Sequence, residues 1–347
     1  MRREVVTRQP MSWDARALHG EETYELYRQN MADLYAVEGV GPAARKRFYN
    51  SSSMALTAMG VVGHGQSSGQ VMQRSRSYVD RSEIDGLNLL VNMAPIVGDC
   101  AGRSVRAAAG DVQLRDLSRE TRSHVPKVDV YTLLIPRRHV PALLLERGAH
   151  GTVLGQDTPA GRLISGHIRI LGGLLARLDD AQRLAGVTAA LAMTARAMGD
   201  TRPLDPETRA ALRLGLRWRA ERLIAERLMD PDLDADALAR ACGGSRATLY
   251  RAFDADGGVH RFIQKRRLEH AHQVLMGRRD QSVADIAYDH GFTSQPHFSR
   301  VFRGVFGYSP SDVRPFVTGN DDTPPARPGR MRHDLMVGWL KSLTAAG

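Results

Sequence analysis

The feature that most constrains this chain is a repeat near its C-terminus, between residues 233 and 314. Residues 235–241 read as a short helix that breaks at Gly243 and Gly244, after which Ser245 can cap a second helix carrying Arg246, Thr248, Leu249, Tyr250, Arg251 and Phe253. Residues 283–290 repeat the pattern: a short helix stops at Gly291, and Ser294 caps a helix carrying Gln295, His297, Phe298, Arg300, Phe302 and Arg303. The capped helices align at one offset, Ser245 on Ser294, Leu249 on Phe298, Arg251 on Arg300 and Phe253 on Phe302. The pattern predicts two helix-turn-helix units in tandem.

In such a unit the second helix packs one face on the first and offers its N-terminal turn and other face to the DNA major groove. Leu249 and Phe253 supply the packing face of the first unit, and Phe298 and Phe302 that of the second. The candidate DNA-contacting residues are therefore Arg246, Ala247, Thr248, Tyr250 and Arg251 in the first unit, and Ser294, Gln295, Pro296, His297, Arg300 and Arg303 in the second. Arginine donates twice to guanine, glutamine bonds adenine in a bidentate way, and a threonine methyl meets thymine, so these faces carry groove-reading chemistry. Pro296 falls in the first helical turn, where its missing N–H costs nothing. The plainer alternative is a pair of helical hairpins with solvated polar faces, which two matching units disfavour.

A helix over about residues 258–276 joins the units, with Phe262, Ile263, Leu268, Ala271 and Leu275 as its core stripe. Its basic side carries Arg261, Lys265, Arg266 and Arg267, of which Lys265 and Arg266 are candidate phosphate contacts. At ~1.5 Å per residue it holds the two reading helices roughly 28 Å apart. That is near the ~34 Å of one DNA turn, so one chain can enter two successive major grooves. His270 and His272 are two apart on this helix, face different ways, and read as incidental, not as a metal pair.

At 347 residues the chain has room for two domains, and the 42% hydrophobic content is that of a folded protein. The formal net charge of +10 points to a polyanionic partner. The basic residues are almost all arginine, the lysines being Lys46, Lys127, Lys265 and Lys341 alone. Cys100 and Cys242 show neither disulfide nor metal-ligand spacing and fit a reducing compartment. No signal-peptide pattern opens the sequence and no run approaches the ~20 apolar residues of a membrane span, so the expected location is the cytoplasm, with no membrane partner.

Residues 1–200 read as a β-rich regulatory and dimerisation domain. After a polar lead-in at about 16–47, short apolar runs at 54–62, 86–93, 102–109, 111–117 and 128–135 alternate with Gly, Ser, Asn and Asp, the mark of a small antiparallel sandwich or barrel. Proline-free stretches at 162–178 and 181–198 then predict a helical hairpin turning at Asp179 and Asp180, with Gly172 and Gly173 the weak point of its first helix. Its apolar positions, among them Leu163, Ile170, Leu174, Leu184, Val187 and Leu191, either bury against the sheet or form a homodimer surface. Residues 201–206, with Pro203 and Pro206, read as a linker, 207–317 as the DNA-binding domain and 318–347 as a tail, within which 331–343 can form a short helix.

Catalysis finds little support. A metal-dependent cupin site needs two histidines and a carboxylate converging from neighbouring strands. His64, His124, His139, His150 and His167 are each isolated, so neither a metal nor a cofactor is expected. There is no nucleophile-elbow signature. A DNA-repair alkyltransferase fused to the DNA-binding module would need an activated thiol, and Cys100 has only Arg103 nearby in sequence to activate it. The chain is read as a non-enzyme with a small pocket inside its β domain.

The stretch from about 218 to 316 resembles the AraC/XylS family of bacterial transcription regulators. The resemblance rests on residues 245–253, on Arg267, Leu268 and Ala271, on Ile286, Ala287, Gly291, Phe292, Ser294, His297, Phe298, Arg300 and Phe302, and on the run Phe306, Gly307, Tyr308, Ser309, Pro310. It implies an α+β protein, with a cupin-like β domain and helical hairpin ahead of an all-α domain of two helix-turn-helix units joined by a long helix. It implies double-stranded promoter DNA and RNA polymerase as partners, activation more often than repression, and base-facing roles for Ala247, Tyr250, Arg251, Gln295, Pro296 and Arg300. Gly244 stands where the family has an apolar residue, which predicts a looser first unit. Ala247 and Pro296 stand where relatives carry polar groups. A β domain controlled by a protein partner, with no small ligand, is the alternative to a sensor of a small-molecule effector.

Overall fold

The computed structural model describes residues 10–14, 20–146, 148–230, 232–277 and 281–313. The tail at 318–347, with the helix read at 331–343, lies outside them. The described residues form two compact units that divide between Gly215 and Leu216.

The first unit is a ten-stranded, antiparallel sheet folded on itself. In chain order its elements are β1 (Met11–Asp14), α1 (Gly20–Met31), β2 (Ala36–Glu38), α2 (Pro42–Arg45), β3 (Asn50–Thr57), β4 (Gly60–Arg74), α3 (Arg76–Val79), β5 (Gly86–Asn92), β6 (Ile96–Cys100), β7 (Arg103–Ala107), β8 (Val112–Asp116), β9 (Thr121–Pro136) and β10 (Val153–Leu154). The helices α4 (Pro159–Gly173) and α5 (Asp180–Ala197) follow, and the division between the units falls within α6 (Pro206–Glu226). Strands β4 and β9 are the long ones and pair from Val61 opposite Leu134 to Arg74 opposite Thr121. One end of β9 also pairs with β5 and the other with β6, so the sheet wraps around an interior instead of lying flat. This is the antiparallel domain that the alternating apolar runs predict, with the cupin-like form that the resemblance implies, and the polar lead-in contributes α1, which buries Tyr24, Tyr27 and Met31 against the sheet.

The hairpin forms where predicted. Asp179 is the N-cap of α5, its carboxylate accepting from the Gln182 backbone N–H while Gln182 reaches back to the Asp179 N–H, a reciprocal capping box. Helix α4 lies on β4, β5, β8 and β9. Ile164, Ile168, Leu171 and Leu175 are buried beneath it, so most of the hairpin's apolar surface belongs to this unit's own core. Leu163, Leu174 and Leu184 remain half-buried. The glycines that weaken α4 by propensity have a packing reason: a Cβ on Gly172 would sit 2.5 Å from Tyr131 Cδ1. His167 is fully buried and bonds the Gly186 carbonyl at 2.8 Å, tying α4 to α5. Strand β8 is buried along its whole length, because α4 covers one face and the domain interior takes the other.

Candidate nucleic-acid interface

The second unit builds its two heads from matching local rules. After α6 come α7 (Ala235–Ala241), α8 (Arg246–Ala252), α9 (Val259–Gly277), α10 (Val283–Asp289) and α11 (Gln295–Phe306). Each of the four short-unit helices begins on a side-chain cap. Asp234 accepts from the Ala237 N–H at 2.6 Å, Ser245 from Thr248 at 3.2 Å, Ser282 from Asp285 at 3.1 Å and Ser294 from His297 at 3.4 Å. A cap of this kind is worth about 1 kcal/mol. Helices α7 and α10 end at Gly243 and Gly291, whose φ angles of 67° and 74° are left-handed and favour glycine. The second turn is one residue longer, Thr293 having no counterpart in the first.

The packing faces are as the spacing predicts. Leu249, Phe253, Phe298 and Phe302 are all 0% exposed. Phe253 packs on Phe262 of α9 at 4.9 Å between ring centroids, and Phe298 packs on Phe292 at 5.1 Å. Fixing those faces inward turns the others outward. Arg246, Ala247, Arg251, Gln295, Pro296, His297, Arg300 and Arg303 are exposed, as are Lys265 and Arg266 on α9, while Thr248, Tyr250 and Ser294 are half-buried.

The exposed groups differ in how far they are engaged. Arg246 pairs with Asp236 at 3.1 Å and lies over the Tyr250 ring. Thr248 and Ser245 share a hydroxyl hydrogen bond at 2.9 Å, and Arg266 pairs with Glu269 at 2.8 Å. Among the described residues Arg251 bonds within its own helix, Nε donating to the Ala247 carbonyl at 3.3 Å. Arg251 and Arg300 thus occupy matching positions with their charge directed outward.

Three readings change. Arg267 is not on the phosphate side: it donates to the Leu228 and Asp230 carbonyls at 3.0 and 2.7 Å, closing the end of the segment after α6, and burial pulls its pKa down. His270 and His272 face different ways, but neither is incidental. His270 Nδ1 bonds His290 Nε2 at 2.8 Å, while His272 bonds the Tyr308 hydroxyl at 2.6 Å and stacks on Phe306. Because His290 Nδ1 donates to the Ile286 carbonyl at 2.7 Å, its Nε2 is the acceptor and His270 the donor. Gly244 does not loosen the first unit, since Leu216 of α6 fills its place, with Cδ1 2.9 Å from where a Cβ would be. His260 and Gln264, which sequence reasoning passed over, line a groove with Arg261 and His297 on the surface between the two heads. Their spacing, one helical turn apart on α9, is the signal that could have found them.

In the first unit, the interior of the folded sheet holds a cavity of about 100 Å³. Cys100 is buried, 3.9 Å from Gln113 Nε2, and burial pushes its thiol up despite Arg115 and Arg103 nearby, the opposite of the activation that an alkyl-accepting cysteine needs. His64 bonds Asp129 at 2.8 Å and stacks on Tyr131, and His150 accepts from the Asp116 N–H at 3.0 Å. Among the described residues no three His, Cys, Asp or Glu side chains gather in a metal-holding group, and no helix is long and apolar enough to cross a membrane.

Two capped reading helices on one long connector, ahead of which stands an antiparallel β domain, define a tandem helix-turn-helix DNA-binding protein. Residues 220–315 match the family described as a helix-turn-helix domain. The chain is 30% identical over 221 residues to the transcriptional activator NphR of a Rhodococcus species, covering 62% of this chain and 65% of that protein. It is 38% identical over 85 residues to the transcriptional activator RhaS of Escherichia coli, covering 24% of this chain and 30% of that one. Among solved structures it is similar to the AraC-like transcriptional activator CuxR, at 21% identity and a TM-score of 0.49, over 77% of this chain and 96% of that one. The chain covers less than two thirds of either curated relative. The chain thus carries a helix-turn-helix domain at residues 220–315 and is similar to HTH-type transcription activators.

Proposed function

We propose that this chain is a one-component transcription activator whose β domain senses an effector and whose two reading helices enter successive major grooves of promoter DNA. The observation that carries the reading is the matched pair of outward arginines, Arg251 and Arg300, on two helices that share caps, turn glycines and buried packing faces. Arg246, Ala247, Thr248 and Tyr250 accompany the first, and Ser294, Gln295, Pro296, His297 and Arg303 the second. Lys265 and Arg266 meet the phosphates between the grooves. The division of labour follows the notional boundaries: 1–200 for regulation and dimerisation, 201–206 as linker, 207–317 for DNA. Activation, and RNA polymerase as the partner it requires, are supported by the two curated relatives being activators. A homodimer through the half-buried leucines of α4 and α5 is part of the reading; sedimentation of the full chain tests it, a monomer at micromolar concentration removing it. The internal cavity favours a small-molecule effector over control by a protein partner alone.

The test is selection of bound duplexes from random DNA with the full chain, followed by footprinting. Two protected major-groove segments about 10 base pairs apart on one face are expected. A single protected segment, or protection that does not depend on sequence, refutes the two-groove reading.

A further inference from the structure

Among the described residues, two arginines, Arg74 and Arg115, line the cavity in the β domain, and no carboxylate does. Both side chains are more than nine-tenths buried, Arg74 at 3% and Arg115 at 6% exposure. The partners of Arg115 are neutral: Nε and Nη2 donate to Gln113 Oε1 at 3.2 and 2.8 Å, and Nη2 also to Ser123 Oγ at 2.7 Å. The ionisable groups that act on it are the Cys100 thiol and the Tyr35 phenol, both held in their neutral forms by burial. Arg74 donates to the Leu34 and Leu117 carbonyls, and its Nε is buried without a partner. The carboxylates whose field reaches Arg74 are committed elsewhere: Asp85 and Asp116 each pair with Arg137 at 2.6 Å.

A guanidinium stays charged in a protein, and burying it unpaired is costly. Two such groups facing one cavity call for an anion that comes from outside the chain. The rest of the wall says what carries the anion. Met31, Leu90, Ile96 and Val130 give it an apolar side, and Asn88 has an amide nitrogen to offer, its Oδ1 already accepting from Thr132 at 2.7 Å. A volume of about 100 Å³ exceeds several-fold the ~10–15 Å³ that one water needs.

We propose that this cavity binds a small organic carboxylate, its apolar body against the methionine and aliphatic wall and its carboxylate on Arg115 with Arg74 beside it. The proposal rests on the sensor reading above and names the chemical class of the effector. A planar carboxylate matches the fork of an arginine and replaces the water that a buried charge has lost.

The test is thermal melting of the full chain near neutral pH with benzoate, phenylacetate and hexanoate, each against its amide and against inorganic phosphate. At least one carboxylate is expected to raise the melting midpoint by several degrees, with its amide and phosphate inert. Arg115→Met is expected to abolish the shift while melting no lower than the parent without ligand, because it removes an uncompensated buried charge. Arg115→Lys, which keeps the charge but loses the fork, is expected to fold and to show a smaller shift, and it decides the matter should the Met variant not fold. No shift with any carboxylate, an equal shift with the amide or with phosphate, or an undiminished shift in both variants overturns the proposal. Occupancy of the selected duplex, measured with and without the stabilising carboxylate, separates the two readings: a binding site with unchanged occupancy stands as a site and sinks the sensor reading.

Discussion

Arg251 and Phe253 are two residues apart at the end of one seven-residue helix and its cap, yet their truncation to alanine should have opposite consequences. Phe253 is fully buried, packs on Phe262 at 4.9 Å, and carries the Arg217 guanidinium 4.7 Å above its ring. Phe253→Ala leaves a ring-sized void among Leu238, Leu249, Val259 and Ile263, a change that costs about 3–5 kcal/mol in packed cores. That is a large part of the ~5–15 kcal/mol a domain commands, so the unit should melt at least 10 °C lower, by the rough 4–8 °C per kcal/mol of a domain of about 100 residues. Arg251 is exposed and holds only the Ala247 carbonyl, so Arg251→Ala should stay within about 0.5 kcal/mol of the parent. Its loss should appear on DNA instead, as ~1–3 kcal/mol or roughly 5- to 150-fold in affinity for the selected duplex, with selectivity relaxed at one base pair. Urea unfolding and fluorescence anisotropy on the same two preparations make the comparison. An Arg251→Ala variant that unfolds as early as Phe253→Ala would refute the assignment of faces. One that binds every duplex like the parent would take α8 out of the groove.

Arg300→Ala should weaken binding as Arg251→Ala does, but at a base pair about one helical turn away; relaxation at the same base pair would contradict two separate grooves. Lys265→Ala should lower affinity evenly across sequences and reduce the slope of log affinity against log salt by about 1, which a titration from low to moderate salt measures. Gly244→Ala should destabilise instead of giving the usual gain, by about 1–3 kcal/mol, because Leu216 occupies the space; equal or higher stability on urea unfolding would show that Leu216 yields easily. Burial holds the His290 imidazole below its ordinary value of 6.5, so the unfolded chain binds its proton first as pH falls. Stability that is complete above about pH 6.5 should therefore be lost as pH drops toward the folded-state value, His270 losing its acceptor in the process. His290→Gln should flatten that dependence in melts between pH 7.5 and 5, and an unchanged slope would mean another group is responsible.

The parts of this molecule that were legible in the sequence are those whose physics is local. A serine caps the N–H three residues on, a left-handed glycine ends the helix before it, and two phenylalanines four apart mark a buried face; each rule acts within one helical turn, so Ser245, Gly243 and Phe298 could be read one at a time. The strands at 86–92, 103–107 and 112–116 were legible for the same reason, from alternation and turn residues, whereas the run at 54–62 crosses the turn between β3 and β4, and β6 lies in none of the runs. What stayed hidden depends on partners far along the chain. Gly244 looks like a defect until Leu216 is brought against it, and Gly172 until Tyr131 is. His270 looks idle until His290, twenty residues on, supplies its acceptor.

The same distinction reinterprets the charge. A formal +10, nearly all arginine, reads as one signal for a polyanion, but the folded chain divides its arginines into separate populations. Arg217 bridges Glu221 and Asp256 and covers Phe253; Arg267 holds two backbone carbonyls; Arg183 reaches back from α5 to the Leu175 carbonyl. These are internal donors, and truncating them should change stability before it changes DNA affinity. Arg251, Arg300 and Arg303 keep their charge outside, where it can meet phosphate or guanine. Arg74 and Arg115 are internal donors too, to the Leu34 and Leu117 carbonyls and to Gln113 and Ser123, but they line the β-domain cavity with no carboxylate among their hydrogen-bond partners in the described residues. The pair in the cavity is therefore the part of the positive charge on which the proposed carboxylate bears: Arg115→Met should remove its binding and leave the outward arginines of the reading helices unchanged.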